Sequence, residues 1–203
     1  MLNCGNPDQM GSIEYHCEHC GQGKHLVSMR CKSSLCLRCA KVSGDNWVAH
    51  VSKMLHEGVI YRPIVLTVPA VVRTSLYRNA QVLLSPFMHC GVRCLDEVFR
   101  RRSGRPLKGG STVVVQTHGR NGQYNPHLHI IATSGGLDTQ ANEWVHLDYL
   151  PSPMLRKKWQ WYVLTRLRHT LKTKEINRLV DLCYTRYPNG FVTNVHKGDV
   201  PSR

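Results

Sequence analysis

The chain predicts an α+β architecture, a small cysteine-rich module followed by a β-α-β-β-α-β domain with an antiparallel sheet. Three observations carry this. Six of the nine cysteines (Cys4, Cys17, Cys20, Cys31, Cys36 and Cys39) fall at the N-terminal end. Beyond Gly58, runs of β-branched residues bounded by Gly and Pro alternate with long stretches of helical apolar spacing. Between Ser111 and Thr133, two such runs flank an Asn-Gly dipeptide, a strong short-range hairpin signal.

Residues 1–41 form the module. Cys17-Glu18-His19-Cys20-Gly21 and Cys36-Leu37-Arg38-Cys39 are two Cys-x-x-Cys pairs. Each pair turns tightly enough to offer two sulfurs to one ion. The pattern therefore predicts a closed structural Zn2+ site of Cys17, Cys20, Cys36 and Cys39, with Cys31 as a substitute ligand. His16, His19 and His25 read as bystanders, and Cys4 lies too far upstream to assign. Met1 to Met10 is polar and lacks a signal-peptide core, which favours metal over disulfides. A segment this small buries too little apolar area to fold without the ion. Residues 42–57, amphipathic from Val42 to His56 and ended by Gly58, predict a joining helix.

The domain at 59–203 opens with a strand, Val59 to Val68, stopped by Pro69. Residues 73–102 place Leu76, Ala80, Leu83, Phe87, Gly91, Cys94, Leu95 and Val98 at helical spacing, and Pro86 is expected to kink or split that helix. A basic cluster ends it. Ser111 to His118 and Pro126 to Thr133 read as a hairpin, followed by Gly135-Gly136 and a polar loop. From Pro153 to Leu171, the residues Leu155, Trp159, Val163, Leu167 and Leu171 form one buried helical stripe. A shorter helix covers Lys174 to Tyr184, and Pro188-Asn189-Gly190 turns into a last strand, Phe191 to Val195. Cys90, Cys94 and Cys183 read as small buried hydrophobes. This order, with one extra helix, predicts a ferredoxin-like sheet covered by helices on one face and open to a ligand on the other.

The candidate site is Asn125-Pro126-His127-Leu128-His129. In a strand, residues i and i+2 share a face, so His127 and His129 offer two imidazoles to a divalent metal. A two-residue turn at Asn121-Gly122 sets Gln116 opposite His127 and His118 opposite Asn125. All four then share one face, and the third ligand is His118 or, alternatively, Gln116; a single bulge would flip the grouping. Such a site has no carboxylate. Mg2+ or Mn2+ held there completes its shell with water and phosphate oxygens and acts as Lewis acid and template on a phosphodiester. The net charge of +14, from 27 Lys+Arg against 13 Asp+Glu, points to a nucleic-acid partner. Arg100, Arg101, Arg102, Arg105, Lys108, Arg120, Lys157 and Lys158 are the predicted DNA-binding cations. No apolar window is long enough to predict a membrane span.

The run from Val114 to His129, followed by Ala132-Thr133-Ser134-Gly135-Gly136, resembles the HUH motif region of rolling-circle, tyrosine-type insertion-sequence transposases. Ile64 to Pro69 is similar to that family's first palm strand, Cys17 to Cys39 to its N-terminal zinc-binding domain, and Pro188 to Val195 to its last palm strand. The resemblance implies an HUH palm at 59–203 and DNA transposition by nicking and strand transfer. Single-stranded element ends are the substrate, and a tyrosine–DNA link is the intermediate. His127 and His129 match the family's metal pair; the third ligand is not fixed by the match. A bacterial, cytoplasmic, nucleoid-associated protein is implied. The family's nucleophilic tyrosines follow the last palm strand, so a chain stopping at Arg203 is expected to be C-terminally truncated, binding DNA without the nucleophile. Tyr184 and Tyr187, three apart on one helical face, are the in-chain alternatives. Two other readings compete: a non-catalytic, zinc-dependent DNA-binding module, and a water-using metal phosphoesterase. The second is disfavoured because no acidic residue lies between Arg100 and Thr133.

Overall fold

The structure, a computed structural model, describes residues 3–33, 35–119 and 121–196. The chain forms two compact units, one up to Glu57 and one from Gly58 onward.

The first unit contains helix α1 (Pro7–Met10), a hairpin of β1 (Ser12–His16) and β2 (Lys24–Ser28), and helix α2 (Leu37–Ser52). The hairpin is antiparallel, in register from Ser12↔Ser28 to His16↔Lys24. Every β1 residue is exposed, and Val51 is the one buried residue of α2. Ile13, Tyr15, Leu26, Trp47 and Val48 face solvent, so little apolar area holds this unit together. Helix α2 begins at Leu37 rather than Val42. Cys36, extended at φ −86°, ψ 117°, is its N-cap.

The second unit runs β3 (Tyr61–Thr67), α3 (Ala70–Arg78), α4 (Ala80–Ser103), β4 (Leu107–Lys108), β5 (Ser111–His118), β6 (Tyr124–Thr133), β7 (Gly135–Asp138), β8 (Glu143–His146), α5 (Ser152–Leu171), α6 (Lys174–Arg186) and β9 (Thr193–Val195). Its main sheet has the order β5-β6-β3-β9, with every neighbouring pair antiparallel. Helices α3 and α4 join β3 to β5, and α5 and α6 join β6 to β9. Strand alternation divides the two faces. Ile64, Leu66, Leu128 and Ile130 point into the core against Phe87, Leu95, Val98 and Phe99 of α4 and Leu155, Trp159 and Val163 of α5. Trp159 is fully buried, lies 5.1 Å from the Phe87 ring and donates its indole N–H to the Thr67 carbonyl at 2.7 Å. That bond ties α5 to the end of β3.

Four local features differ from the sequence reading. The break in the first long helix falls at Asn79 (φ −120°, ψ 29°), whose amide donates to Ser75 O at 2.9 Å, and α4 runs through Pro86. Residues 135–146 are not a loop. They form β7 and β8, which with β4 make a three-stranded sheet, closed by the Asp138 carboxylate accepting from Gln140 N (2.9 Å) and Ala141 N (3.3 Å). The β5–β6 turn is wider than two residues: Gly119 N donates to Gln123 O, and Gly122 N to Gly119 O, with Gly122 at φ 73°. Strand β9 is shorter than expected, because Phe191 leaves the ladder to pack into the core.

Candidate functional site

The main sheet's uncovered face carries the histidines. His127 pairs with Thr67 on one side and Gln116 on the other; His129 pairs with Val65 and Val114. The two rings lie 4.9 Å apart at 61°. His127 Nδ1–H donates to the Asn125 carbonyl at 2.6 Å, which leaves its Nε2 facing outward as a lone-pair donor. His129 Nε2 meets Gln116 Oε1 at 2.9 Å. Burial, and then the neighbouring His127, hold His129 below the ordinary imidazole value, favouring the neutral ring that a metal needs. None of the four strands contains an Asp or Glu.

The two third-ligand alternatives have different surroundings. Gln116 faces His127 as the hairpin register required, but the ladder shifts between Gln116 and His118, and His118 pairs with Tyr124 instead of Asn125. The extra residue lies on β6, where Asn125 and Pro126 together stand opposite Thr117. The Nδ1 of His118 lies 3.0 Å from Thr117 Oγ1, and its ring sits edge-on to Tyr124 at 5.7 Å. Of the two, Gln116 is the one whose side chain contacts the pair, through His129. Two imidazole nitrogens and one amide oxygen fit a divalent cation that keeps open positions.

Tyr184 lies on α6 and Tyr187 is its C-cap; α6 packs onto α5, which covers the other face of the sheet. Gln160 of α5 donates to the carbonyls of Cys183 and Tyr187 at 3.2 and 3.1 Å, and the Tyr187 ring rests on Phe191. Both tyrosines are thus separated from the histidine face by the sheet itself.

The predicted DNA-binding cations are less free than their sequence clustering indicated. Arg100, Arg101 and Lys158 all converge on Glu97, at 2.7, 2.6 and 3.0 Å. Arg105 reaches Asp138 at 3.4 Å. Arg102, Lys108 and Lys157 stay exposed, and Arg120 lies outside the described residues.

In the first unit the thiols of Cys4, Cys31, Cys36 and Cys39 lie within 4.8 Å of one another. Cys4 and Cys31 each stand near Cys39, at 3.5 and 3.8 Å. A tetrahedral zinc with four sulfurs needs separations of about 3.8 Å, so the cluster fits the ion. Cys36 is drawn down to about 7 because the Cys39 backbone N–H donates to its sulfur. Burial and the adjacent thiols push Cys39 up to about 12. Of the predicted set of Cys17, Cys20, Cys36 and Cys39, the structure brings the second pair together with Cys4 and Cys31, while Cys17 and Cys20 lie in the β1–β2 turn outside that group. The missed signal was the dense spacing of Cys31, Cys36 and Cys39, which already supplies three ligands. Cys4 is the nearest remaining sulfur once the hairpin folds back.

Residues 1–68 match the transposase zinc-binding domain family, and residues 110–194 match a transposase family. The chain is similar to insertion-sequence transposases. It is 28% identical over 165 residues to the transposase for insertion sequence element IS801 of Pseudomonas savastanoi pv. phaseolicola, an alignment covering 80% of this chain and 38% of that relative. The chain therefore spans well under half the length of the relative it matches. No solved structure matches it. Both matches fall on the features described above: the zinc-binding match takes in the four-thiol cluster, and the transposase match takes in the whole β5–β6 hairpin and the first two residues of β9. Among the described residues, no helix is long and apolar enough to cross a membrane.

Proposed function

We propose that the uncovered sheet face is the metal-dependent nicking site of a transposase acting on single-stranded DNA, with the second unit built as a ferredoxin-like HUH palm. The strand order, with two helical crossovers on one face, supports that reading of the fold. The observation that carries the proposal is the triad of Gln116, His127 and His129 on a sheet face with no carboxylate. A neutral donor set leaves the full cationic charge for a phosphodiester. Bound there, Mg2+ or Mn2+ supplies Lewis acidity to a phosphate oxygen at the scissile bond.

The protein's own contributions follow from its geometry. Asn125 O fixes the His127 tautomer, so one nitrogen is presented without rotation. Gln116 orients His129 through its amide oxygen. Exposed Arg102, Lys108 and Lys157 hold strand phosphates by charge, independent of sequence. The attacking tyrosine is assigned to none of the described residues, since Tyr184 and Tyr187 stand on the opposite side of the sheet.

Mn2+ binding to the full chain, followed by calorimetry or electron paramagnetic resonance, tests the site. H127A/H129A is expected to weaken binding at least about 100-fold, and Q116A about 10-fold, with H118A within about 2-fold of wild type. Unchanged Mn2+ affinity in H127A/H129A would leave the non-catalytic DNA-binding reading standing. A loss in H118A equal to that in Q116A would reinstate His118 as ligand.

A further inference from the structure

The outer side of the helix layer carries a groove that the metal site does not use. On α5, Tyr162, Arg166 and His169 stand at i, i+4 and i+7 and so share one face. Cys90 and Arg93 of α4 stand across from them, and with Trp161 these side chains enclose a cavity of about 280 Å3. The two helices hold its wall in place: the Cys90 thiol donates to the Tyr162 carbonyl at 3.5 Å, and the Arg166 side chain bonds to the same sulfur. Helices α4 and α5 cover the face of the main sheet opposite the histidines. A strand lying over Gln116, His127 and His129 therefore does not touch this groove.

The chemistry of the groove is cationic and aromatic. Among the described residues, no Asp or Glu lines the cavity, and neither Arg93 nor Arg166 forms an ion pair. Arg168, one position beyond Leu167, is by contrast paired with Asp181 at 2.7 Å. Two guanidiniums thus keep donors for phosphate oxygens, in the planar fork that matches them. Trp161 stands beside them with 48% of its surface exposed, off the buried stripe of α5. Its ring meets Tyr162 edge-on at 4.8 Å, and Lys158 Nζ lies 5.9 Å from its centre. An exposed indole beside unpaired cations is how proteins hold unpaired nucleotides: the ring stacks on the base and the cations take the backbone. A duplex keeps its bases stacked on one another, so Trp161 selects a single strand. The cavity is just under the roughly 300 Å3 of a small-ligand pocket, which suits one base. A neighbouring cavity of about 560 Å3 shares Arg93 and Tyr162 and adds Arg100 and Lys108. Asp96 and Glu97 also line that second cavity, so the phosphates are gripped at the first.

We propose that the α4–α5 groove is a second binding site for single-stranded DNA, in which an unpaired base stacks on Trp161 while Arg93 and Arg166 hold the adjoining phosphates. The chain then carries one strand segment at the histidines and another on the opposite side of the sheet. The proposal rests on the reading that this chain handles single-stranded DNA, and is independent of which metal, if any, the histidines hold.

Oligothymidylate of about 10 nucleotides, titrated into the full chain with zinc and Mn2+, tests it by calorimetry and tryptophan fluorescence. Wild type is expected to bind two oligonucleotides per chain, one of them with quenching of tryptophan emission. W161A/R93A should lose the quenching and weaken that site at least about 10-fold, whereas W161F, which keeps a ring, should stay within about 3-fold of wild type by calorimetry. Mn2+ affinity should be unchanged in both variants. H127A/H129A should keep the quenching site, and it supports the proposal even if its Mn2+ affinity is unaltered, an outcome that would sink the metal site alone. Wild-type stoichiometry and quenching in W161A/R93A would overturn the proposal. So would loss of the quenching site in H127A/H129A, which would make the two sites one, or equal quenching by a duplex of the same length. Displacement of the quenching oligonucleotide by polyglutamate, which carries charge and no base, would overturn it as well. Wild type that binds no oligothymidylate at all would overturn it together with the DNA reading on which it rests.

Discussion

Glu97 governs how much of the basic helix end is available to a partner. Its carboxylate, 15% exposed, accepts from Arg100, Arg101 and Lys158. Those three contacts, Arg100 first, draw its pKa down to about 2. The folded value lies below the unfolded one, so the network stabilises the fold above about pH 4.5 and that contribution is lost as the pH falls toward 2. The arginines are more than half exposed, so solvent screening cuts the nominal effect. E97Q should cost about 1 kcal/mol at pH 7 and nothing near pH 2, a difference that denaturant melts at the two pH values can read. The same substitution releases three cations. Non-specific single-stranded DNA retention should tighten and its salt dependence steepen, measurable by a salt titration. Glu97, Arg100 and Arg101 stand at i, i+3 and i+4, so two of these pairs were legible in the sequence. Lys158 was not, because only the packing of α5 on α4 brings it there. A cluster of cations in sequence counts charges, not free charges.

At the scale of elements, the hairpin shows what a turn signal does and does not settle. Asn121-Gly122 located the reversal, and the Gln116↔His127 pairing followed from it, because strand alternation propagates parity along the ladder. The third ligand did not follow. Gly119 and Gln123 close a wider loop, and the ladder then takes up an extra residue on β6, where Asn125 and Pro126 stand opposite Thr117, so His118 pairs with Tyr124 rather than Asn125. The β7–β8 hairpin was illegible for another reason: its strands are four residues each, the first opens on Gly-Gly, and neither is long enough to show a clear alternation. Gly190 ends the last helical crossover under a tighter constraint. It adopts φ 86°, and a Cβ there would lie 2.3 Å from the Arg156 carbonyl carbon and 2.5 Å from Lys157 N, both backbone atoms of α5 that cannot yield. Phe191 N donates to Arg156 O at 3.3 Å through this contact. G190A should therefore destabilise the second unit by about 2–4 kcal/mol in denaturant melts. Amides of Thr193–Val195 should lose exchange protection before those of β3 and β6, because β9 is an edge strand held by that turn.

Each of the two units is stabilised internally by a different force, and that difference makes a sharp prediction. In the second unit a continuous core runs from Ile64 to Phe191, with Trp159, Phe99, Leu128 and Ile130 almost completely buried. Burial on this scale supplies the stability of an ordinary domain. In the first unit, Cys4, Cys36 and Val51 are the buried apolar residues among those described, and two of the three belong to the thiol cluster. The cysteine density foretold this division, since a short segment with exposed Ile13, Tyr15, Leu26 and Trp47 has nothing else to fold around. Removing the ion leaves four crowded thiols and a hairpin with neither face covered. A strong chelator should therefore abolish amide protection in β1, β2 and the first turns of α2, while β3, β5, β6 and α5 keep theirs. The melting transition of the second unit should move by less than about 2 °C, and the first unit's lower transition should vanish and return with added zinc. Loss of protection in the β3–β6 ladder on chelation would show that the sheet depends on the ion, and the two units would then have to be treated as one cooperative fold.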